Sequence, residues 1–414
     1  MRLPLDAVKV HAKAQSREEK PQSTTLPATP SKLLRKPNLQ ASPKKFRRLA
    51  PSNASLLLVV LAAVSGAVSS ATTKVEDGPT LSRPLTIAWR YETDQTTNFT
   101  PAADAHTVFI PMSSGVLVAL NAADGKLVWR AEAGGNFSAA PIADERSVFA
   151  AQRSGEPDRK PVSGTLRALS KTTGVTLWMR TLPASVSAGL AVDPVSLFGA
   201  GSDGHVYAFD KRTGLVLWSN QYEEEFSAPP IVAGDHVYFG SKAGTVRALN
   251  VKTGQLAWQY KTRGAIEGPV AVSDNVVYFG SADGNVYAFS EIRSKLLWHR
   301  RTGAAVQAVA AVPNGVLAAS LDNFAYLLSL NKGSLVWRRQ LPGRILSRPI
   351  TAADAALFTP FSTDQAIVLN LRDGKTANTL MLGEENSSAA APISANGLVL
   401  ITIPHGLLAF SAPH

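Results

Sequence analysis

Cysteine is absent from all 414 residues. That excludes disulfides, thiolate metal sites, a cysteine nucleophile and a lipid anchor on an N-terminal cysteine. A chain without disulfides must rely on its own core, and a hydrophobic content of 45% can supply a large one. Tryptophan is scarce, with seven copies. Net charge is scarce too over most of the length. The formal charge is +11, but twelve of the 42 Lys and Arg and three of the 31 Asp and Glu lie in positions 1–50. Positions 51–71 carry no charge, and from Thr72 onward basic residues exceed acidic ones by two. The basic balance therefore belongs to the N-terminal tail and gives no ground for a nucleic-acid partner.

Residues 1–54 read as a basic disordered leader, rich in Lys, Arg, Pro, Ser and Gln with no sustained apolar period. Lys44-Lys45-Phe46-Arg47-Arg48 precedes the apolar run Leu56–Val64, and small residues follow through Ala71. This pattern predicts a signal peptide over 55–71, with Ser69 and Ala71 at the small-residue positions of cleavage. The run is short for a membrane span. Left uncleaved, 56–68 would anchor the chain in the inner membrane. The expected location is periplasmic or otherwise exported.

The seven tryptophans fall on one grid: Trp89, Trp129, Trp178, Trp218, Trp258, Trp298 and Trp337. The steps are 40, 49, 40, 40, 40 and 39, and the long step holds a Gly/Pro-bearing insertion around Ser154–Ser163. A further step reaches Asn378, where the repeat persists without its tryptophan. Within the fourth unit, Pro230–Ala233, His236–Gly240, Thr245–Asn250 and Gln255–Tyr260 are short β-rich runs separated by Gly and Asp turns. Four such strands make an antiparallel meander, which buries both faces only when stacked against similar sheets. Hairpins centred near Ser114, Ser154, Asp203, Ala243, Asp283, Asp322, Thr363 and Pro404 bring the count to eight. The last unit lacks a fourth strand, and the strand bearing Trp89 has no unit ahead of it. The prediction is an all-β, eight-bladed β-propeller over residues 72–414, its last blade closed by the N-terminal strand.

Ala119-Leu120-Asn121 precedes Asp124-Gly125 and Trp129; Ala208-Phe209-Asp210 precedes Thr213-Gly214 and Trp218; Ala248-Leu249-Asn250 precedes Thr253-Gly254 and Trp258. This recurring pattern resembles the tryptophan-docking motif of the pyrroloquinoline-quinone-like propeller superfamily, over roughly residues 83–414. Within it, the likeness is greatest to the propeller scaffolds of the β-barrel assembly machinery. The resemblance implies that each tryptophan docks on the neighbouring blade. Blade five departs, with Arg293-Ser294 for Thr-Gly; blade six is one residue shorter; blade seven loses its tryptophan.

Little chemistry is left over. His106, His205, His236, His299 and His405 stand one to a region, without metal-ligand spacing. Asp203-Gly204 and Asp283-Gly284 fit turn chemistry. Glu223-Glu224-Glu225 forms an acidic rim between blades three and four, either a solvated loop or a contact for a basic partner. No catalytic, cofactor-binding or metal-binding residue is predicted. The expected function is a non-catalytic, monomeric scaffold with a protein partner, in outer-membrane or envelope protein assembly. Two alternatives stay open: a quinone- and calcium-dependent dehydrogenase, which the superfamily also contains, and an extracytoplasmic ligand-sensing propeller.

Overall fold

The computed structural model describes residues 81–97, 99–154, 163–387 and 389–413. The predicted leader, signal segment and most of the insertion after Ser154 lie outside them. All elements of the described residues are β-strands. They form eight antiparallel sheets, seven with their strands in sequence order and one that joins the first described strand to the last three. Blade one comprises Ala102–Ala103, Thr107–Pro111, Val116–Asn121 and Leu127–Glu132. In blade four the strands are Phe226–Ala233, His236–Ser241, Thr245–Asn250 and Leu256–Lys261, within a few residues of the sequence reading. Blade two differs in one respect. Its first strand is broken into Asn136–Phe137 and Ile142–Ala143, both pairing with Ser147–Ser154.

The buried apolar side chains fall into eight clusters, one at each junction between neighbouring blades. Second and third strands are apolar on both faces because each is sandwiched, as in Val237–Gly240 and Val206–Phe209. At about 1.5–3 kcal/mol per fully buried large side chain, these junctions are the main source of stability. First strands of successive blades meet closely. A Cβ on Gly189 would stand 3.1 Å from Pro229, and one on Gly268 would collide with the Gln307 carbonyl. Fourth strands are the sheet edges and are mostly exposed.

Blade eight closes the ring. Ile393–Ala395, Leu398–Ile403 and Gly406–Ser411 are completed by Thr86–Glu92, with Trp89 opposite Ala409 and Glu92 opposite Gly406. The closure is stitched further by the Thr97 hydroxyl, which donates to the Ile403 carbonyl at 2.6 Å. A sheet left one strand short would expose a row of unpaired backbone groups, and the N-terminal strand removes it.

The tryptophan repeat has a definite mechanics. Each sits in a fourth strand beside a β-bulge, so one residue is skipped and the indole turns toward the next blade. Across the ladder stands a small Ala in six of seven cases, Ala208 for Trp218 among them; Leu327 replaces it in blade six. Asp210 shows what the rest of the motif does. Its carboxylate accepts from the Thr213 amide and hydroxyl, both at 2.8 Å, and shapes a turn that ends at Gly214. Gly214 has φ near 69° and lies so flat on Trp178 that a Cβ would meet the ring at 2.6 Å. The Lys211 carbonyl then accepts from Trp178 Nε1 at 2.9 Å. The same carbonyl contact holds Trp89, Trp129, Trp218, Trp298 and Trp337, at 2.8–2.9 Å.

Two departures show why the motif matters. In blade five Ser294 replaces the glycine and keeps a left-handed φ of 45°. Its amide closes the turn on Glu291 O, one residue tighter than elsewhere, so that carbonyl is not given to Trp258. Trp258 Nε1 points instead to the Glu291 carboxylate at 3.4 Å. In blade seven Asn378 keeps the bulge and donates through Nδ2 to Arg83 O at 2.7 Å. The docking turn of blade eight does not exist, because its fourth strand arrives from the N-terminus. Leu81–Pro84 substitutes for it, with Ser82 donating to Asp354 at 2.8 Å.

Cations in two of these turns clasp the blade behind. Lys171 pairs with Asp104 at 2.7 Å and Lys211 with Asp144 at 2.9 Å. Burial alone would raise both carboxyls, but the ammonium and two backbone amides outweigh it and hold them below their ordinary value. Folded-state pKa values below the unfolded one stabilise above the unfolded pKa and lose that contribution as pH falls through the folded pKa. Replacing both with Asn keeps the amide caps and removes the charges. It is expected to cost about 1 kcal/mol per pair near neutral pH. In denaturant titrations against wild type the difference should close below roughly pH 4. Ser294→Gly should stabilise by about 1 kcal/mol in the same assay, since glycine adopts that φ freely.

Candidate functional site

The Glu223–Glu225 rim does not act as one cluster. Glu224 is turned inward against Arg247, with both side chains about nine-tenths buried. Its Oε2 accepts from Ser241 Oγ at 2.7 Å and Thr245 Oγ1 at 3.1 Å, and the Arg247 guanidinium lies 4.3 Å over the Tyr222 ring. Glu225 pairs with Lys242 at 2.6 Å, and Glu223 is exposed. The expected solvated loop or partner contact therefore does not include Glu224, whose charge is already spent.

The reason lies in the neighbouring repeats. In blades five and six a hairpin Asp accepts from the Tyr four residues on: Asp283 from Tyr287 at 2.7 Å, and Asp322 from Tyr326. Burial first, and then that hydrogen bond, pushes the Tyr287 hydroxyl well above its ordinary value. At the equivalent positions blade four has Ala243 and Arg247. The hairpin has lost its acid and gained a cation, and Glu224 supplies the missing negative charge from the preceding loop. Asp203 of blade three engages His205 Nδ1 at 2.9 Å instead, and Tyr207 stacks on that imidazole.

A different surface is open to a partner. On blade two Val175, Leu177 and Met179 are 64, 55 and 55% exposed; on blade three Leu215, Val216 and Leu217 are 57, 48 and 49% exposed. Leu127 and Val128 of blade one extend the series. These residues lie on or beside edge strands, Thr176–Leu182 and Val216–Gln221, whose outer sides have no strand beside them among the described residues. Edges are usually guarded by charge. Blade three's edge strand carries none, and on blade two the single Arg180 is drawn aside to donate to Gly214 O at 2.9 Å. The corresponding strand of blade five ends in His299-Arg300-Arg301. Blades one to three also frame a cleft of about 430 Å³ lined by Phe99, Met112, Asn136, Phe137, Ser138 and Arg153. The apolar runs Val175-Thr176-Leu177 and Leu215-Val216-Leu217 are visible in the sequence. Their exposure is not, because the adjacent Trp178 and Trp218 read as core.

Among the described residues no three His, Asp or Glu side chains gather closely enough to hold a metal ion. Where first strands of successive blades approach, Gly189 lies against Pro229 and Gly268 against the Gln307 carbonyl.

The comparisons with known proteins agree with this architecture. A family model described as outer membrane protein assembly factor BamB matches residues 74–158, 162–312 and 282–408. Among curated proteins, none matches the sequence. The crystal structure of BamB from Moraxella catarrhalis is similar with a TM-score of 0.67 and 17% identity, over 80% of this chain and 98% of that one. The computationally designed Ika8 protein gives 0.70 and 18%, over 79% and 99%. Sqt1 from Saccharomyces cerevisiae gives 0.67 and 12%, over 79% and 99%. At these identities the solved structures speak to the fold. The family match covers most of the chain, and the chain belongs to this BamB-like family of PQQ-repeat propellers.

The Glu224 assignment makes a firm expectation. Glu224→Ala strands Arg247 without a partner and should cost about 3–5 kcal/mol in urea unfolding. Adding Ala243→Asp and Arg247→Tyr rebuilds the acid–tyrosine pair of blades five and six and should return most of that loss.

Proposed function

We propose that this propeller is a non-catalytic protein-interaction scaffold that works outside the cytoplasm in envelope or outer-membrane protein assembly. The observation that carries the reading is the unguarded, apolar outer edge of blades two and three. Contiguous exposed apolar surface on a folded protein marks an interaction site. An open strand edge adds a row of backbone donors and acceptors that a partner strand can satisfy, with Leu177, Met179 and Leu217 supplying side-chain contact. Family membership supports the assembly role, and the basic, apolar, small-residue order of positions 44–71 supports export.

The test compares the wild-type chain with a Leu177→Lys/Leu217→Lys double variant, each expressed at native level and purified from envelope extracts. Wild type should retain a β-barrel assembly subunit, and the variant should lose it by about tenfold or more, equivalent to about 1.4 kcal/mol, with an unchanged melting temperature. Equal recovery by both would contradict the edge as the docking surface. Reduction of a dye with simple alcohols, after loading with quinone and calcium, would contradict the non-catalytic reading. N-terminal sequencing of the mature chain should begin at Thr72; an intact leader would overturn cleavage.

A further inference from the structure

Away from that edge, the junction of blades five and six holds a groove of about 540 Å³ with a different character. Arg300 and Arg301 line it at the end of blade five's fourth strand, Lys295–Arg301. Phe324 and Tyr326 come from the third strand of blade six, and Leu335 and Arg338 from its fourth. The floor is aromatic and aliphatic, and the Arg338 guanidinium lies 5.4 Å over the Phe324 ring.

The charges in the groove are unbalanced. Its one carboxylate, Asp322, is committed locally: it accepts from Tyr326 OH, from the Gly303 amide at 2.9 Å and from the Phe324 amide at 3.1 Å. Burial first, and then Asp322, pushes the Tyr326 hydroxyl up to about 12, so this donor stays protonated. None of the three arginines forms an ion pair among the described residues, whereas Arg90, Arg247, Lys171, Lys211 and Lys242 each have a carboxylate partner. The guanidinium fork matches a carboxylate with two parallel hydrogen bonds.

We propose that this groove binds an acidic polypeptide segment, with carboxylates on Arg300, Arg301 and Arg338 and an apolar side chain against Phe324 and Leu335. Concavity favours a peptide over an anionic lipid surface. A planar layer of headgroups would meet the rim of a cleft between two blades and leave its apolar floor uncovered. The groove shares no residue with the apolar edge of blades two and three, so the two surfaces can fail independently.

The probe is a short fluorescent peptide of alternating Asp and Glu with one central Phe, alongside its Asn/Gln analogue and vesicles of phosphatidylglycerol in phosphatidylcholine. Wild type should bind the acidic peptide saturably and the neutral analogue much more weakly. Arg301→Gln/Arg338→Gln should weaken acidic-peptide binding by about tenfold, and binding should fall as salt rises past about 0.15 M. Arg300→Gln serves as a second variant; all three side chains are exposed, and circular dichroism confirms the fold. The Leu177→Lys/Leu217→Lys protein should bind the acidic peptide as wild type does. Peptide affinity unchanged in the arginine variants would overturn the proposal, as would arginine-dependent binding to the anionic vesicles without binding to the peptide.

Discussion

The interaction on which the ring depends is the seating of one blade's indole on the next blade's turn. It combines three demands in a few atoms: a flat backbone surface that only a glycine leaves open, a free carbonyl aimed at the indole nitrogen, and a bulge that turns the ring out of its own ladder. Gly214 and the Lys211 carbonyl meet Trp178 in this way, and the arrangement recurs around the ring. Each blade thereby fixes the angle of its neighbour, and the large apolar junctions lie between sheets set at that angle. An aromatic residue in the second strand, Phe109, Phe149, Phe198, Tyr238 or Tyr278, backs five of the indoles at 5.8–6.1 Å between ring centres.

Where the motif fails, the chain compensates with polar groups. Glu291 takes over at Trp258 and also accepts from the Tyr238 hydroxyl at 2.6 Å. Asn378 answers to a turn supplied from another part of the chain. Glu224 replaces an aspartate lost nineteen residues away, at Ala243. These substitutions keep the ring regular at its centre while its outer edges diverge. The edge strand of blade three carries no charge, whereas those of blades five and six each carry a pair of adjacent arginines.

The blade count, the closing strand and the role of the tryptophans were legible in the sequence because each is stated many times over. A rare residue recurring every 40 positions overdetermines its own explanation. Glu224 was not legible as a buried partner, since reading it required aligning Ala243 and Arg247 with Asp283 and Tyr287 and noticing that two changes left one cation unpaired. The exposed runs at Leu177 and Leu217 were hidden by the same repeat. Alternation assigns one face of a strand to the core, but the fourth strand of a blade has a neighbour on one side only. The arginine groove was equally out of reach, because Arg301 and Arg338 come from different blades and meet only in three dimensions.

The central claim, that this ring works by offering an unguarded strand edge, is open to one direct measurement. Amide hydrogen exchange across residues 175–182 and 215–221 can be followed in the free protein and in the complex recovered from envelope extracts. The outward sides of these strands have no strand beside them among the described residues, and their amides should exchange fast in the isolated ring. In the complex they should become protected, with little change in the loops that precede each first strand. Unchanged exchange along both edges, with protection confined to those loops or to the rim at Glu223 and Glu225, would contradict it.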